Sequence, residues 1–330
     1  PMRIAIFGAG SLGSLLGALL DRAHDVVLVG RDPHVSAVRD GGLRVTGADS
    51  IETTPAATTD GTGLDVDLAV VTVKAYDTDA AARDLATGDV DAVVSLQNGL
   101  GNEAALAAGV TCPVVAGTTT HGAMLSEPGV VAWTGRGTVT VGNWRADGGD
   151  AANDPAGDDP AARVAAAFRA ASVDAAVDPD IRRRLRVKLA VNAAINPTTA
   201  LARVRNGAVR SEPIATYAER AAREAAAVAR AEGVDVDGDA AVDRALAVAD
   251  RTADNRSSML QDVAAGRRTE VDAISRAVAA RAAAHGVDAP VIGLLAALLR
   301  GWAPGRGLGA RPGRAGPAAL RPLTRPRPPR

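Results

Sequence analysis

Aromatic residues and cysteine are scarce in this chain of 330 residues. Phe, Trp and Tyr together make up 2% of it, so its cores must consist of Ala, Val and Leu, which the apolar content of 47% can supply. The single cysteine, Cys112, excludes an internal disulfide and fits a reducing, cytoplasmic compartment. We interpret Cys112 as a small buried apolar residue and not as a nucleophile.

Long apolar runs are also missing. No run reaches the roughly 18 residues of a membrane span. The first residues enter a strand at once and lack the basic and then apolar layout of a signal peptide. We therefore expect a cytoplasmic protein without membrane association, and we expect no metal site.

Charge is spread unevenly along the chain. The formal net charge of −1 includes seven arginines and no acid from residues 301–330, so the first 300 residues carry −8. An acidic body argues against a nucleic-acid groove as the main function. The last thirty residues lack periodicity and are predicted to be a disordered tail. Salt-dependent binding that disappears on truncation at residue 300 would indicate a nucleic-acid role for this basic tail.

Lysine is rare in this chain. Lys74 and Lys188 are the only two lysines among its 37 lysine and arginine residues. Arginine keeps its proton near neutral pH, whereas a desolvated lysine can release one. Both lysines are therefore candidate site residues. The alternative is that they are ordinary surface or helix-end lysines.

The stretch 186–197 places Lys188 in a distinctive pattern. If it is helical, Lys188, Asn192 and Asn196 lie at i, i+4 and i+8 on one face, and the residues between them are apolar. Polar groups on a buried helix are costly unless they have partners, and a bound polar substrate would be such a partner. We expect the helix to end near Asn196, because Pro197 disfavours the helical conformation of the residue before it.

A glycine-rich motif follows the first predicted strand, residues 3–7, and precedes a helical pattern at 14–22. This is the context that a dinucleotide-binding fingerprint requires, although a plain glycine turn is the alternative. The first glycine allows a tight turn, the second a close approach of pyrophosphate, and the third close helix–strand packing. The predicted cofactor contacts here are Gly8, Ala9, Gly10, Ser11, Leu12 and Gly13.

Arg31 and Asp32 follow the second predicted strand, residues 25–30. A guanidinium suits the 2′-phosphate of NADPH, so we favour NADP as the cofactor. The alternative is that Arg31 is solvated and Asp32 binds the ribose hydroxyls of NAD.

Two further polar residues follow predicted strands. Lys74 comes after the strand at 67–73 and Asn98 after the strand at 91–96. Ligands of doubly wound sheets bind beyond such strand ends, so both should face the crevice. Asn98 could instead be a turn residue, because an Asn-Gly pair favours turns. We interpret His121 as a pocket-lining or hydrogen-bonded residue and not as an acid or base, because no acid lies near it in the sequence.

Secondary structure changes character near residue 178, where we place the domain boundary. Residues 130–132 and 138–142 are predicted to form an antiparallel pair that closes the first domain. A disordered-looking loop at 145–160, a helix at 161–171 and a strand at 173–177 follow. Beyond the boundary the pattern is helical, with helices expected at about 213–232 and 239–252.

Three residues of the helical half have two interpretations each. Asn206 is a turn cap or a ligand contact. Ser258 with Gln261 fits a capping box, or Ser258 binds a ligand. Glu270 is a first-turn acid that complements a helix dipole, or a carboxylate aimed into the crevice.

Taken together, these motifs resemble the 2-dehydropantoate 2-reductase (ketopantoate reductase) family. They occur in the family's order and cover about residues 2–295. The residues that carry the resemblance are Gly8-x-Gly10-x-x-Gly13, Lys74, Gln97-Asn98-Gly99-x-Gly101-Asn102, Lys188-x-x-x-Asn192-x-x-x-Asn196-Pro197, Asn206-Gly207, Ser257-Ser258-Met259-Leu260-Gln261-Asp262 and Thr269-Glu270-Val271-Asp272.

The resemblance implies an α/β fold of Rossmann type at 1–178 and an all-α domain at 179–300, with helices like those of 6-phosphogluconate dehydrogenase. It implies NADPH-dependent reduction of ketopantoate to (R)-pantoate on the way to pantothenate and coenzyme A. By position, Lys188 would be the general acid. Lys74, Asn98 and Glu270 would contact the cofactor. Substrate would contact Asn98, Lys188, Asn192, Asn196, Asn206, Ser258 and Glu270.

Other functions remain open at this stage. One is a related 2-oxo-acid or opine-type dehydrogenase, and another is a non-catalytic sensor of NADPH. The Lys188 face argues against the sensor, because a sensor needs no proton donor. We expect a small-molecule substrate and no nucleic-acid partner, with a homodimer as the candidate assembly.

Overall fold

The computed structural model describes residues 1–145 and 159–302. The segments predicted to be disordered, 145–160 and 301–330, lie almost entirely outside the described residues. Two of their edges are helical, because one helix starts at Pro160 and another continues to Trp302.

Strands and helices alternate in the first half, and helices dominate the second. The strands are β1 (Arg3–Phe7), β2 (Asp25–Val29), β3 (Leu43–Gly47), β4 (Ile51–Thr53), β5 (Ala56–Thr58), β6 (Leu68–Val71), β7 (Val93–Ser95), β8 (Val114–Thr119), β9 (Gly122–Glu127), β10 (Val130–Gly135), β11 (Val139–Asn143) and β12 (Ala175–Val177). The helices are α1 (Ser11–Leu20), α2 (His34–Gly41), α3 (Thr78–Leu85), α4 (Asn102–Gly109), α5 (Pro160–Ala170), α6 (Ile181–Ala202), α7 (Ile214–Ala231), α8 (Gly238–Arg251), α9 (Ser258–Ala264), α10 (Ala277–His285) and α11 (Pro290–Trp302).

The main sheet has the strand order of a Rossmann fold. Six parallel strands run in the order β5-β2-β1-β6-β7-β8, and β11 and β12 extend the β8 edge. The order reverses beside β1, which pairs with β2 on one side and β6 on the other. In such sheets the ligand crevice lies beyond the carboxyl ends of the strands at this reversal.

Both faces of the central strands β1, β6 and β7 are buried, which explains their continuous apolar runs. In β1, Ile4 and Ile6 belong to one buried cluster, whereas Ala5 and Phe7 belong to another on the opposite face. This alternation is the period of two that an extended strand imposes. The α/β fold of the first domain is thus confirmed.

A second sheet, β4-β3-β10-β9, corrects one prediction. The strands β10 and β11 do not pair with each other as expected. Strand β10 pairs with β9 and β3, whereas β11 pairs with β8 and β12 in the main sheet. Periodicity identifies a strand, but its neighbours are chosen by packing between distant segments.

The second half is helical, as predicted. The helices expected at 213–232 and 239–252 are α7 and α8, and both pack against the long helix α6. The predicted boundary at 178 falls between the end of β12 and the start of α6. None of the helices within residues 1–145 and 159–302 is long and apolar enough to cross a bilayer.

Helix α6 does not end at Asn196, contrary to prediction, but continues through Pro197 to Ala202. Proline removes one backbone hydrogen bond and normally breaks a helix. Here residues 193–200 are all buried, so tertiary packing outweighs the local preference. The Thr199 hydroxyl also donates to the carbonyls of Ile195 (2.7 Å) and Asn196 (3.2 Å), within the turn that contains the proline.

Candidate active site

The glycine turn between β1 and α1 contains two glycines that the fold requires, Gly8 and Gly13, and one that it does not, Gly10. Gly8 has a φ of +108°, and a Cβ there would lie 2.5 Å from the Val73 nitrogen. A Cβ at Gly13 would lie 2.2 Å from the Gly8 carbonyl oxygen. At Gly10 the nearest atom would be 4.0 Å away, so the space in front of it is open.

This open space lies at the start of α1. Gly10 is the N-cap residue, no side chain caps the helix, and its first turn contains no acid. The free N–H groups and the positive end of the helix dipole therefore suit an anion. The turn fits the pyrophosphate of a dinucleotide.

Arg31 and Asp32, at the end of β2, have different partners. The Asp32 carboxylate accepts hydrogen bonds from the Ser36 backbone (3.1 Å) and hydroxyl (2.7 Å). Arg31 donates to the Asp77 carboxylate at 2.7 Å, and its side chain is 80% exposed. Asp32 is thus engaged in local structure, whereas the Arg31 guanidinium lies at the crevice edge of the sheet.

Lys74 connects the two domains. It follows β6, and its ammonium lies 2.8 Å from Asp262 and 3.4 Å from Glu270, two buried carboxylates of the helical domain. The other Glu270 oxygen accepts from the Ala75 backbone at 3.1 Å. Burial lowers the pKa of Lys74, but the charges of Glu270 and Asp262 outweigh it and hold that pKa above its ordinary value. Lys74 therefore stays charged and is a poor proton donor.

These contacts decide between the two interpretations of Glu270. It precedes a short π-helical segment, Asp272–Arg276, and its carboxylate reaches across to the Rossmann domain. Glu270 is a crevice carboxylate and not a helix-dipole acid.

Lys188 has the opposite environment to Lys74. It lies on α6, is partly buried, and forms no hydrogen bond or ion pair with any residue of the described ranges. Burial lowers its pKa from 10.5 to about 8, although the charges of Glu270 and Glu103 raise it. Lys188 can therefore carry a proton at neutral pH and release it readily.

Asn192 and Asn196 follow Lys188 on α6, one and two turns along. Asn192 is half-buried and Asn196 is buried. Neither side-chain amide has a hydrogen-bond partner among the described residues. The structure confirms that the three share a helix, and it leaves their polar groups available to a ligand.

Ser257, and not Ser258, caps α9, which corrects the predicted capping box. The Ser257 hydroxyl accepts from the Leu260 backbone at 3.1 Å and pairs with the Thr199 hydroxyl at 2.7 Å. Ser258 is the first helical residue, so its hydroxyl cannot cap the turn that it belongs to. Its side chain is exposed and has no hydrogen-bond partner among the described residues, so it is available to a ligand.

Asn206 has a structural role in this arrangement. Its side chain donates to the Thr252 hydroxyl at 3.0 Å, and its backbone donates to the Asn255 carbonyl at 3.0 Å. It thereby fixes the segment that leads to Ser257. Its side-chain oxygen is buried without a partner among the described residues, and ligand binding by Asn206 stays a prediction.

Asn98 lies in a loop that packs on the helical domain. Its carbonyl accepts from the Asn102 side chain at 2.9 Å, and Leu100 donates to the Ala273 carbonyl at 3.0 Å. Gly99, with a φ of +91°, lies so close to Ala273 that a Cβ would approach to 2.7 Å. Asn98 is therefore a turn residue at the domain junction, and its role as a ligand stays a prediction.

His121 and Cys112 are poor candidates for chemistry. The Nδ1 atom of His121 accepts from the Gly137 backbone at 3.1 Å, and burial, followed by the charge of Arg136, lowers its pKa. Burial raises the pKa of the Cys112 thiol, which disfavours the thiolate. Cys112 is partly buried against the core and not fully buried as expected, whereas the interpretation of His121 as a residue that is not an acid or base agrees with its surroundings.

Several residues at the domain junction were not singled out from the sequence. Asp262, which holds Lys74, stood only as part of a longer motif. Glu103 is buried, and burial raises the pKa of its carboxyl although Arg186 and Lys188 oppose this.

Arg268 stacks on the Tyr76 ring at 4.4 Å across the junction. An open cleft beside this pair is lined by Ala75, Tyr76, Arg268, Thr269, Glu270, Asp272 and Ala273.

Two family models match the chain. The one described as "Ketopantoate reductase PanE/ApbA" covers residues 4–146, and "Ketopantoate reductase PanE/ApbA C terminal" covers residues 180–303. The 2-dehydropantoate 2-reductase of Halobacterium salinarum is 45% identical over 307 residues, which is 91% of this chain and 98% of that protein. That of Archaeoglobus fulgidus is 40% identical over 91% of this chain and 97% of its own length.

Solved structures agree with this fold. A PanE/ApbA family ketopantoate reductase from Ralstonia eutropha superposes with a TM-score of 0.79 at 31% identity, over 91% of this chain and 97% of its own. D-mandelate dehydrogenase, in a ternary structure with NADH and anilino(oxo)acetate, has a TM-score of 0.82 at 25% identity over 91% and 97%.

Proposed function

The chain belongs to the ketopantoate reductase family, and we propose that it reduces ketopantoate to (R)-pantoate, a step towards pantothenate and coenzyme A. The family consists of NAD(P)-dependent reductases. The observation that carries the proposal is the Lys188 ammonium, which lacks a protein partner among the described residues and has a pKa lowered to about 8. It stands on one helix face with two amides that also lack partners.

Lys188 performs the proton chemistry in this proposal. A bound nicotinamide dinucleotide supplies the hydride. The ammonium stabilises the negative charge that develops on the carbonyl oxygen and then donates its proton to that oxygen. Lys74 cannot substitute for it, because the charges of Asp262 and Glu270 hold its proton.

The remaining polar groups orient the substrate. The amides of Asn192 and Asn196 offer both donors and acceptors to a hydroxylated 2-oxo acid. The Ser258 hydroxyl is free because Ser257 performs the capping. Glu270 keeps the pKa of Lys188 from falling further. Asn98 and Asn206 complete the proposed substrate contacts.

The cofactor side of the crevice is formed by the glycine turn, residues 8–13, together with Arg31, Lys74, Asn98 and Glu270. We propose that the turn holds the pyrophosphate at the start of α1 and that Arg31 meets the 2′-phosphate of NADPH. Arg31 supports this because its guanidinium is exposed at the strand end, whereas Asp32 is engaged by Ser36.

A related 2-oxo-acid dehydrogenase is the second candidate function, because D-mandelate dehydrogenase has nearly the same fold. The sensor hypothesis is weaker, since a sensor has no use for an unpaired ammonium of lowered pKa. A homodimer and a cytoplasmic location stay predictions.

Turnover with a panel of 2-oxo acids tests the proposal. We expect kcat/KM for ketopantoate to exceed that for an analogue without the 4-hydroxyl group by at least about tenfold, because polar side chains would lose their partner. Oxidation of the reduced nicotinamide ring is followed by its absorbance. A preference for an aromatic 2-oxo acid would favour the second candidate, and binding without turnover would favour a sensor.

A further inference from the structure

The 3₁₀ turn after β6 brings an acid to Arg31. Arg31 follows β2, and Asp77 is the last residue of the turn Ala75–Asp77. Because β2 and β6 flank β1, the two residues meet at the carboxyl edge of the sheet. There a guanidinium nitrogen of Arg31 lies 2.7 Å from a carboxylate oxygen of Asp77. The guanidinium proposed to meet a 2′-phosphate therefore already carries a carboxylate.

Asp77 also keeps one carboxylate oxygen available to contact a ribose, because Arg31 engages only the other. In an NAD site an acid near the end of the second strand accepts the 2′-hydroxyl hydrogen bond. Asp32 stands at that position, but Ser36 occupies one of its oxygens with two hydrogen bonds. Within residues 1–145 and 159–302, the Asp77 carboxylate has Arg31 as its hydrogen-bond donor and caps no helix.

We propose that Asp77 is a cofactor-selectivity residue that allows this chain to use NADH as well as NADPH. Its carboxylate accepts the 2′-hydroxyl of NADH while Arg31 holds it in place. With NADPH, the same carboxylate repels the 2′-phosphate and competes with it for Arg31, so the advantage of NADPH is reduced. This inference rests on the proposed cofactor site.

Asp77→Asn tests the inference, because it keeps the size of the side chain and removes its charge. We expect the ratio of the NADH Kd to the NADPH Kd to rise by about tenfold, with tighter NADPH and weaker NADH binding. Kd is measured for each dinucleotide by calorimetric titration without substrate. The ratio of the two kcat/KM values with ketopantoate should shift in the same direction.

Asp79→Asn is the matched control. Asp79 is exposed two residues beyond Asp77, and its replacement removes the same formal charge from the same region. We expect it to change the Kd ratio by less than about twofold, because exposed charges without direct contact are screened. Both variants should melt at the temperature of the parent protein, since an exposed ion pair adds little stability.

The outcomes separate this inference from the proposed function. An unchanged Kd ratio in Asp77→Asn, or an equal shift in Asp79→Asn, overturns the role of Asp77. If no 2-oxo acid is reduced, the proposed reaction fails, but the binding titrations still decide the role of Asp77. Arg31→Ala should weaken NADPH binding more than NADH binding, because it removes the partner of the 2′-phosphate and, for NADH, only the group that holds Asp77 in place. Loss of both to the same degree also overturns the inference.

Discussion

Lys188→Ala is expected to lower kcat for ketopantoate reduction by about 10²–10⁴-fold, the range of a lost general acid. Cofactor affinity should change little, because the dinucleotide is held by the glycine turn on the other domain. The protein should remain folded, since Lys188 has no hydrogen bond or ion pair to lose within the described ranges. Steady-state turnover, dinucleotide titration and thermal melting measure the three quantities.

Two further variants sharpen this result. Lys188→Arg keeps the positive charge but cannot release a proton near neutral pH, so it should also lose most turnover. Arg184→Ala, one turn earlier on α6, removes an exposed cation paired with Asp178 and should leave turnover intact. Turnover retained in Lys188→Ala, or lost equally in Arg184→Ala, would contradict the assignment of the general acid.

The pH dependence follows from the same residue. Lys188 must be protonated to donate, and its pKa is lowered to about 8 chiefly by burial. In the parent enzyme kcat/KM, which reports the free enzyme, should therefore be high below this pKa and fall as the pH rises through it. A profile that stays flat well above pH 8 would assign the proton to another group.

Gly10→Val is expected to weaken dinucleotide binding by at least about 100-fold, or about 2.7 kcal/mol. A Cβ at Gly10 meets no protein atom closer than 4.0 Å, so the fold accepts a side chain. The φ of Gly10 is −89°, which any residue can adopt. The added methyl groups would instead fill the space in front of the N–H groups of α1. Titration with NADPH and NADH, together with thermal melting, separates binding from folding.

Two other glycines give opposite controls. A Cβ at Gly13 would lie 2.2 Å from the Gly8 carbonyl, so Gly13→Ala should lower the melting temperature. At Gly293, on α11, a Cβ would have no atom of the described residues within 4 Å, and Gly293→Val should affect neither binding nor stability appreciably. Normal dinucleotide binding by Gly10→Val would mean that the pyrophosphate lies elsewhere.

Contiguous patterns in the sequence predicted much of the fold and part of the site. The strand β1, the glycine turn and α1 follow one another within about twenty residues, so spacing alone specified them. The same holds for Lys188, Asn192 and Asn196, whose common face follows from helical geometry. Such features depend on backbone periodicity and on local sterics, which neighbouring residues determine.

Local rules failed where packing opposed them. Pro197 predicted a helix end, but α6 continues because the turns around it are buried. The capping pattern pointed to Ser258, whereas Ser257 is the cap, and its hydroxyl also pairs with that of Thr199. Strand β10 pairs with β9 and β3, a choice that periodicity cannot encode.

The sequence by itself determined the element types, the glycine turn and the polar face of α6. Only the tertiary structure decided the electrostatics of the site. Arg31 and Asp77 are separated by 46 residues, and Lys74 and Asp262 by 188, yet each pair is in contact. Desolvation and Coulomb energy depend on distance in space and on burial, so one lysine keeps its proton and the other can release it.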